Sequence, residues 1–138
     1  GGERFFSTSS AKLKNRVKFL GFIEKFRDAI EIISTSSIGI ATFLPDPNSL
    51  SYYSDPSKVR LYLACGLPVI TTTVTTIAPS IVKKRAGVVI EYKEKEFVKA
   101  VTYLLSNKLR YVSFKKNAIS LSQKYDLNHI LDNALRKL

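Results

Sequence analysis

One stretch decides the fold of this chain, and it runs from Tyr53 to Thr73: Tyr-Ser-Asp-Pro-Ser-Lys-Val-Arg-Leu-Tyr-Leu-Ala-Cys-Gly-Leu-Pro-Val-Ile-Thr-Thr-Thr. Asp55 is a preferred N-cap residue and Pro56 fits the first helical position, so a short helix is predicted over Ser57 to Cys65. Gly66 favours the left-handed conformation that commonly ends a helix. The apolar, β-branched run from Leu67 to Thr72 is then typical of an interior parallel strand.

The start of this helix has a chemical use. The first N–H groups of a helix have no intrahelical partner, and the helix dipole places partial positive charge there, so an anion can bind. A phosphate or diphosphate would lie on Ser57, Lys58 and Val59, with a hydroxyl and an ammonium group adding to the backbone N–H groups. The alternative is that Asp55 only caps the helix and Lys58 lies in solvent, because an acidic cap competes with a bound anion. The residues alone leave both interpretations open.

The segment from Ser57 to Thr72 resembles the nucleotide-sugar-binding half of GT-B glycosyltransferases of the "glycosyl transferases group 1" type. That family carries a Lys-x-x-Glu-Tyr-Leu-Ala-x-Gly-x-Pro-Val-like segment at this place. Val17 to Phe22 looks like the family's strand that ends in Gly-Phe or Gly-Tyr, Ser37 to Ala41 like its next strand, and Ala86 to Ile90 like its last strand. The resemblance covers nearly the whole chain.

The pattern of strands and helices predicts an α/β fold, a Rossmann-like parallel sheet flanked by helices. Strands are predicted at Val17–Leu20, Ile38–Phe43, Leu67–Thr72 and Gly87–Ile90, and helices at Glu24–Ile33, Ser57–Cys65 and Ile77–Lys84, with further helical stripes at Phe97–Leu105 and Leu127–Leu138. Residues 1–138 are expected to form a single domain. The resemblance implies two more strands before Gly1 and a separate N-terminal acceptor domain. We therefore expect a partial GT-B C-terminal domain lacking its first strands, inactive alone, with sheet edges open to self-association.

Ligands of open parallel sheets lie beyond the carboxyl ends of the strands. The resemblance implies that the loop formed by Gly21, Phe22 and Ile23 lines the base of a nucleotide-sugar, and that the helix start at Ser57 holds the diphosphate. It places Tyr53 and Ser54 near the donor sugar. A role for Phe22 in core or hinge packing is the alternative. No catalytic residue is predicted; transfer would depend on positioning and on stabilisation of the leaving diphosphate, with any general base in the missing domain.

One position departs from the family pattern. Many members carry two glutamates eight positions apart, of which the second contacts the ribose, and by register these fall at Tyr53 and Leu61. A leucine cannot accept hydrogen bonds from ribose hydroxyl groups. Either the ribose is held differently, with Asp55 as the nearest carboxylate, or donor binding is changed or lost. The second hypothesis is therefore a non-catalytic basic α/β module for protein, membrane or nucleic-acid contact, and a flavodoxin-like phosphate-binding domain is a third.

Composition limits the partners. The 138 residues are 45% apolar and include no run long enough to span a bilayer. Net charge is +11, and residues 61–138 alone carry 13 basic and 5 acidic side chains, densest at Lys83–Arg85 and Lys115–Lys116. A basic surface suits phosphates, an anionic membrane or nucleic acid, or it is an ordinary solvated surface. The resemblance favours the membrane. Specific recognition of nucleic-acid bases is not predicted, because the sequence pattern does not indicate an exposed basic sheet with aromatic residues.

The cysteine and histidine counts bear on compartment and cofactors. Cys65 is the single cysteine and His129 the single histidine, so neither an internal disulfide nor a metal-ligand cluster is predicted. A lone cysteine fits a reducing compartment, hence a cytoplasmic protein, with peripheral contact at the inner membrane face. No cofactor is expected, because the UDP- or GDP-sugar donor is a substrate.

Overall fold

A computed structural model of the chain describes residues 16–49, 52 and 56–126. In chain order, the helices and strands of this part are α1 (Phe26–Ser34), β1 (Gly39–Ala41), α2 (Ser57–Ala64), β2 (Val69–Thr72), α3 (Ala78–Lys84), β3 (Gly87–Ile90), α4 (Glu94–Leu105), α5 (Lys108–Ser122) and a 3₁₀ turn (Gln123–Tyr125). The strict alternation of strand and helix up to α4 is the pattern that builds a parallel sheet with crossover helices.

The three strands form a parallel sheet in the order β1-β2-β3. All four residues of β2 are buried, as predicted for an interior strand. One face of the sheet packs against α2 and α3, chiefly through Val59, Leu63, Ile77 and Ile81, and the other against α4, through Ala100 and Leu104. Helix α5 contributes to both clusters, with Ala118 and Leu121 in the first and Phe114 in the second. The fold is therefore a Rossmann-like α/β sheet with helices on both faces, as predicted.

The unit of α2 and β2 forms as the sequence predicts. Gly66 has φ 72°, the left-handed conformation that a glycine adopts without steric cost. Leu67 N–H donates to the Tyr62 carbonyl and Gly66 N–H to the Leu63 carbonyl, each at 2.9 Å. These two bonds define a Schellman motif. The helix start differs by one position, because Pro56 is the N-cap rather than the first helical residue.

Helix α5 lies along the amino ends of the strands. Tyr111 Oη donates to the carbonyl of Ser37, two residues before β1, at 2.8 Å. Asn117 Nδ2 donates to the carbonyl of Arg85, two residues before β3, at 3.1 Å. Because parallel strands all begin at the same edge of a sheet, α5 closes the edge opposite to the one where ligands bind.

The predicted strand at Val17–Leu20 is wrong, since these residues have no strand conformation and Phe19 and Leu20 are about half exposed. A strand needs a hydrogen-bonded neighbour. Among the described residues β1 pairs only with β2, and no strand pairs with Val17–Leu20.

The first part of the described chain is also less buried than predicted. Strand β1 is shorter than Ile38–Phe43, and Ile40 is 48% exposed, so β1 is covered on one face only. Helix α1 starts two residues later than predicted and has no buried residue, with Phe26 66% exposed. Its apolar face has the helical spacing that was predicted, but the described residues provide no core for it.

Towards the C-terminus the strand prediction is confirmed and the helix prediction needs one correction. Strand β3 has the predicted bounds, and α3 begins one residue later than predicted. In α4, Val98 and Leu105 belong to the predicted apolar stripe but are more than half exposed, whereas Ala100 is buried beside Leu104. The sheet contacts only one narrow face of α4, so only some of the apolar side chains of the predicted stripe are buried. The stripe predicted over Leu127–Leu138 lies outside the described residues.

Candidate functional site

The carboxyl edge of the sheet collects three loops. Residues 42–49 follow β1, residues 73–77 follow β2 and residues 91–93 follow β3. Helix α2 connects two parallel strands and therefore runs back along the sheet, which places its first turn at this edge and its Gly66 end near α5. The first turn of α2 is thus the element that the fold presents where a ligand of an open α/β sheet binds.

Two buried threonines of β2 fix the chain that leads to this edge. The Thr72 hydroxyl accepts from Phe43 N–H at 3.1 Å and donates to the Phe43 carbonyl at 2.8 Å. The Thr71 hydroxyl donates to the Ala41 carbonyl at 2.8 Å. Buried hydroxyl groups are almost always paired, so a threonine pair at the end of an apolar strand signals such anchoring. From the sequence, these threonines were predicted only to end a strand, and their hydrogen bonds were not predicted.

The loop after β1 is ordered by its own hydrogen bonds. Asp46 Oδ1 accepts from Asn48 N–H at 2.9 Å and from Asn48 Nδ2 at 3.1 Å, which makes an Asx-type turn. Tyr52 N–H donates to the Ser49 carbonyl at 3.0 Å. The turn gives the part of this polar loop around residues 46–49 a defined conformation.

The first turn of α2 carries donors that the helix does not use. Arg60 N–H donates to the Pro56 carbonyl at 3.1 Å, and the N–H groups of Ser57, Lys58 and Val59 precede this first intrahelical bond. Ser57 and Lys58 are exposed, whereas the Val59 side chain is fully buried in the core. The turn contains no acidic residue, and the proline at the N-cap supplies no side-chain cap. Backbone N–H groups, a hydroxyl and an ammonium group therefore meet at one exposed point.

A shallow pocket of about 190 Å³ lies on the other side of the same edge. It is lined by Thr42, Ile90, Tyr92, Lys93, Glu94 and Phe97. Lys93 donates a hydrogen bond to Glu91; this bond lowers the pKa of Glu91 and raises the pKa of Lys93, both of which are exposed. The charge of Lys93 is therefore already balanced. This pocket was not predicted from the sequence. Ligands of open parallel sheets bind beyond the carboxyl ends of the strands, and the loop after β3 lies there too.

The other predicted site residues lie in loops. Gly21 has φ 71° with open space around it, Phe22 is 91% exposed and Ile23 is half-buried, and their role at the base of a donor stays a prediction. Tyr53, Ser54 and Asp55 lie outside the described residues. Their roles at the donor sugar and as a helix cap therefore stay predictions.

A comparison with protein families shows to which family the chain belongs. The model of a family described as glycosyl transferases group 1 matches residues 2–107, more than three quarters of the chain. The chain belongs to the glycosyl transferases group 1 family. No curated protein and no solved structure matches it. The match includes the first turn of α2 and every loop at the carboxyl edge, and it ends before α5.

Within this group 1 glycosyl transferase, Leu61 lies beside a groove rather than in the core. The residue is half-buried and lines an opening of about 390 Å³ together with Arg60, Ala64, Ser122, Gln123, Tyr125 and Asp126. The Arg60 guanidinium lies 5.1 Å from the centre of the Tyr125 ring in this groove. Leu61 thus lies between α2 and the end of α5, in a groove whose other lining residues are mostly polar or charged.

Two further findings concern the described parts of the glycosyl transferase chain. Within residues 16–49, 52 and 56–126, no three His, Cys, Asp or Glu side chains lie close enough to hold a metal ion. Among the helices of the same residues, none has the length and apolar character needed to cross a membrane.

Proposed function

We propose that this chain is the donor-binding part of a glycosyltransferase and that the first turn of α2 holds the diphosphate of a nucleotide-sugar. The observation that carries the proposal is the meeting of the Ser57, Lys58 and Val59 N–H groups at the carboxyl edge of the sheet. A diphosphate there would accept hydrogen bonds from backbone N–H groups at the positive end of the helix dipole. Membership of the family supports a donor of this class.

Lys58 is better suited to a diphosphate than the other lysine placed at this edge. Lys93 is paired with Glu91, so its charge is balanced before any ligand arrives. No carboxylate among the described residues forms an ion pair with Lys58, and its side chain is exposed. An ammonium group can place a full charge beside a phosphate oxygen while the backbone N–H groups fix the geometry.

The chemistry asked of this turn is stabilisation of a leaving group. In glycosyl transfer the bond between the anomeric carbon and the diphosphate oxygen breaks, and an acceptor oxygen bonds to that carbon and loses its proton. Negative charge develops on the departing diphosphate, where pre-arranged N–H groups and Lys58 lower its energy. No described residue is assigned as the general base, so the contribution proposed for this chain is positioning and electrostatic stabilisation.

The finer features of the proposal come from the resemblance. The donor is a UDP- or GDP-sugar used without a metal or other cofactor, the base lies near Gly21 to Ile23, and the acceptor, lipid-linked or polysaccharide, binds a separate N-terminal domain. The free, half-buried thiol of Cys65 fits a reducing compartment, so we place the activity in the cytoplasm. We infer that residues 1–138 alone do not transfer sugar.

Thermal-shift titration with UDP-, GDP- and ADP-sugars tests the proposal. A ligand at 100 times its dissociation constant adds about 2.7 kcal/mol, an increase in Tm of roughly 10 °C for a domain of this size. One nucleotide is expected to give this shift. The Lys58→Ala variant should bind it about 10- to 100-fold more weakly, because a charge-assisted hydrogen bond contributes about 1.5–3 kcal/mol.

Lys108→Ala is the matched control, since it removes the same charge from α5, at the opposite edge of the sheet. An equal loss of affinity in both variants would show that only net charge matters. Flat titrations of residues 1–138 and of the full-length protein with all three sugars would contradict donor binding.

The second candidate is a non-catalytic basic α/β module. The observation that favours it is Leu61, an apolar side chain that lines the groove between α2 and the end of α5 at the position where, by the resemblance, many family members have a ribose-binding glutamate. This candidate predicts no response to any nucleotide-sugar in the full-length protein, so the same titration separates the two functions.

A further inference from the structure

The outward face of α5 combines exposed aliphatic side chains with lysines. Leu109 is 84% exposed, Val112 41% and Ile119 47%. Together with the exposed Lys116 they follow the spacing i, i+3, i+7 and i+10, which places all four on one side of the helix. The opposite side of α5 is buried in the core through Phe114, Ala118 and Leu121. The helix is therefore apolar on both sides. Within the described chain the inner side is buried, and on the outer side Ile119 lies beside Gly66 at the end of α2 but stays about half exposed.

Basic side chains border this face without nearby acidic residues in sequence. Neither residues 56–90 nor residues 97–125 contain a carboxylate. The bond from Asn117 Nδ2 to the Arg85 carbonyl brings the last turn of α3, with Lys83 and Lys84, beside α5. Lys108 lies at the start of α5, on the side of the exposed leucine. The surface is thus basic over two adjoining helices.

Some of these cations are already engaged and others are not. The Arg110 guanidinium lies 4.0 Å from the centre of the Tyr103 ring, so part of its charge is directed at an aromatic face. Lys83, Lys84, Lys108 and Lys116 are exposed. None of them takes part in the ion pairs Glu91–Lys93 and Glu96–Lys99. Four lysines are therefore available to an anionic partner.

We propose that this surface, formed by Lys83, Lys84, Lys108, Leu109, Val112, Lys116 and Ile119, binds the surface of an anionic lipid bilayer. Aliphatic side chains on a basic helix can enter the headgroup region while lysines extend to lipid phosphates. Surfaces that bind single-stranded nucleic acid place aromatic rings between their cations to stack on bases. The outward face of α5 has leucine, valine and isoleucine instead, which favours the bilayer.

The geometry keeps this surface apart from the candidate donor site. Helix α5 lies at the amino edge of the sheet, whereas the first turn of α2 lies at the carboxyl edge. A bilayer bound to α5 would leave the carboxyl edge open to water. The inference goes beyond the proposed function and does not depend on donor binding.

Vesicle flotation with the whole chain tests the inference. The protein is mixed at about 0.1 M salt with vesicles of phosphatidylcholine alone or with 30% phosphatidylglycerol, and binding is expected only to the second kind. One basic residue near an anionic surface contributes about fivefold in affinity, so Lys108→Gln/Lys116→Gln should bind about 25-fold more weakly. The control Lys25→Gln/Arg27→Gln, which removes the same charge from exposed positions around the start of α1, should stay within about twofold.

A third variant separates a bilayer from other anionic partners. Leu109→Ser/Val112→Ser keeps the charge, and it should lose about tenfold in vesicle binding because apolar burial is removed. Circular dichroism and Tm close to those of the unsubstituted chain would show that each variant is folded. Unchanged binding by this variant, an equal loss in the control, no binding to either vesicle, or displacement from vesicles by single-stranded RNA would each overturn the proposal.

Discussion

Replacement of Thr72 by valine removes the hydroxyl that anchors the start of the loop after β1, residues 42–49. The Thr72 side chain is 1% exposed and forms two hydrogen bonds with the backbone of Phe43, one as acceptor at 3.1 Å and one as donor at 2.8 Å. Valine has nearly the same shape, so the packing of β2 is kept. The substitution therefore tests the two hydrogen bonds rather than the volume of the core.

The magnitude follows from the two bonds. Each typical hydrogen bond contributes about 1 kcal/mol net, and a backbone group left unpaired in a buried place costs about 1–3 kcal/mol. Phe43 is half-buried, so water can compensate in part. We expect Thr72→Val to lower the free energy of unfolding by about 2–3 kcal/mol, which corresponds to roughly 8–12 °C in Tm.

Urea unfolding followed by circular dichroism measures this loss. Thr72→Ser keeps the hydroxyl and removes one methyl group, so it should cost about 1 kcal/mol. If Thr72→Val unfolds at the same urea concentration as the original chain, or if serine costs as much as valine, the hydroxyl does not anchor the loop. Amide hydrogen exchange at Phe43 should rise in the valine variant and stay low in the serine variant.

Two further predictions concern the glycine at the start of β3 and the ion pair after it. Gly87→Ala should unfold the domain, at a cost of about 3 kcal/mol or more, because its Cβ would lie 2.8 Å from Val69 N on the adjacent strand. Gly21→Ala, at an open site, should cost only about 1 kcal/mol when both variants are unfolded with urea. The pKa of Glu91, lowered by Lys93, should rise towards the ordinary 4.5 in Lys93→Gln when followed by NMR. The pair therefore stabilises the fold above pH 4.5 and the effect is lost as pH falls below it; an unshifted Glu91 in the original chain would refute this.

The sequence was most informative where local chemistry decides the structure. Gly66 ends α2 because a left-handed position suits glycine, and Pro68 follows where a helix cannot continue. The apolar run Leu67–Thr72 contains the buried strand β2, which begins two residues later than predicted, at Val69. These features need no knowledge of distant residues, so the central α2–β2 unit formed as predicted.

Pairing between distant segments was harder to predict. Val17–Leu20 has the composition of a strand but no strand conformation, because strand formation depends on a neighbour that the segment itself does not specify. The apolar spacing of α1 and α4 predicted the helices correctly but not how much of each face is covered. Ile40 and Val98 are exposed for that reason, since burial depends on which elements lie opposite.

The candidate site divides into a part that depends on the backbone and a part that depends on side chains. The N–H groups at the start of α2 exist for any sequence that begins a helix there, so a change at Leu61 leaves them in place. A ribose contact needs an acceptor side chain, and leucine supplies none. Under the proposed function, the affinity of this chain for a donor therefore comes from the diphosphate more than from the ribose. Lys58, rather than position 61, is accordingly the residue whose substitution should decide whether the donor binds.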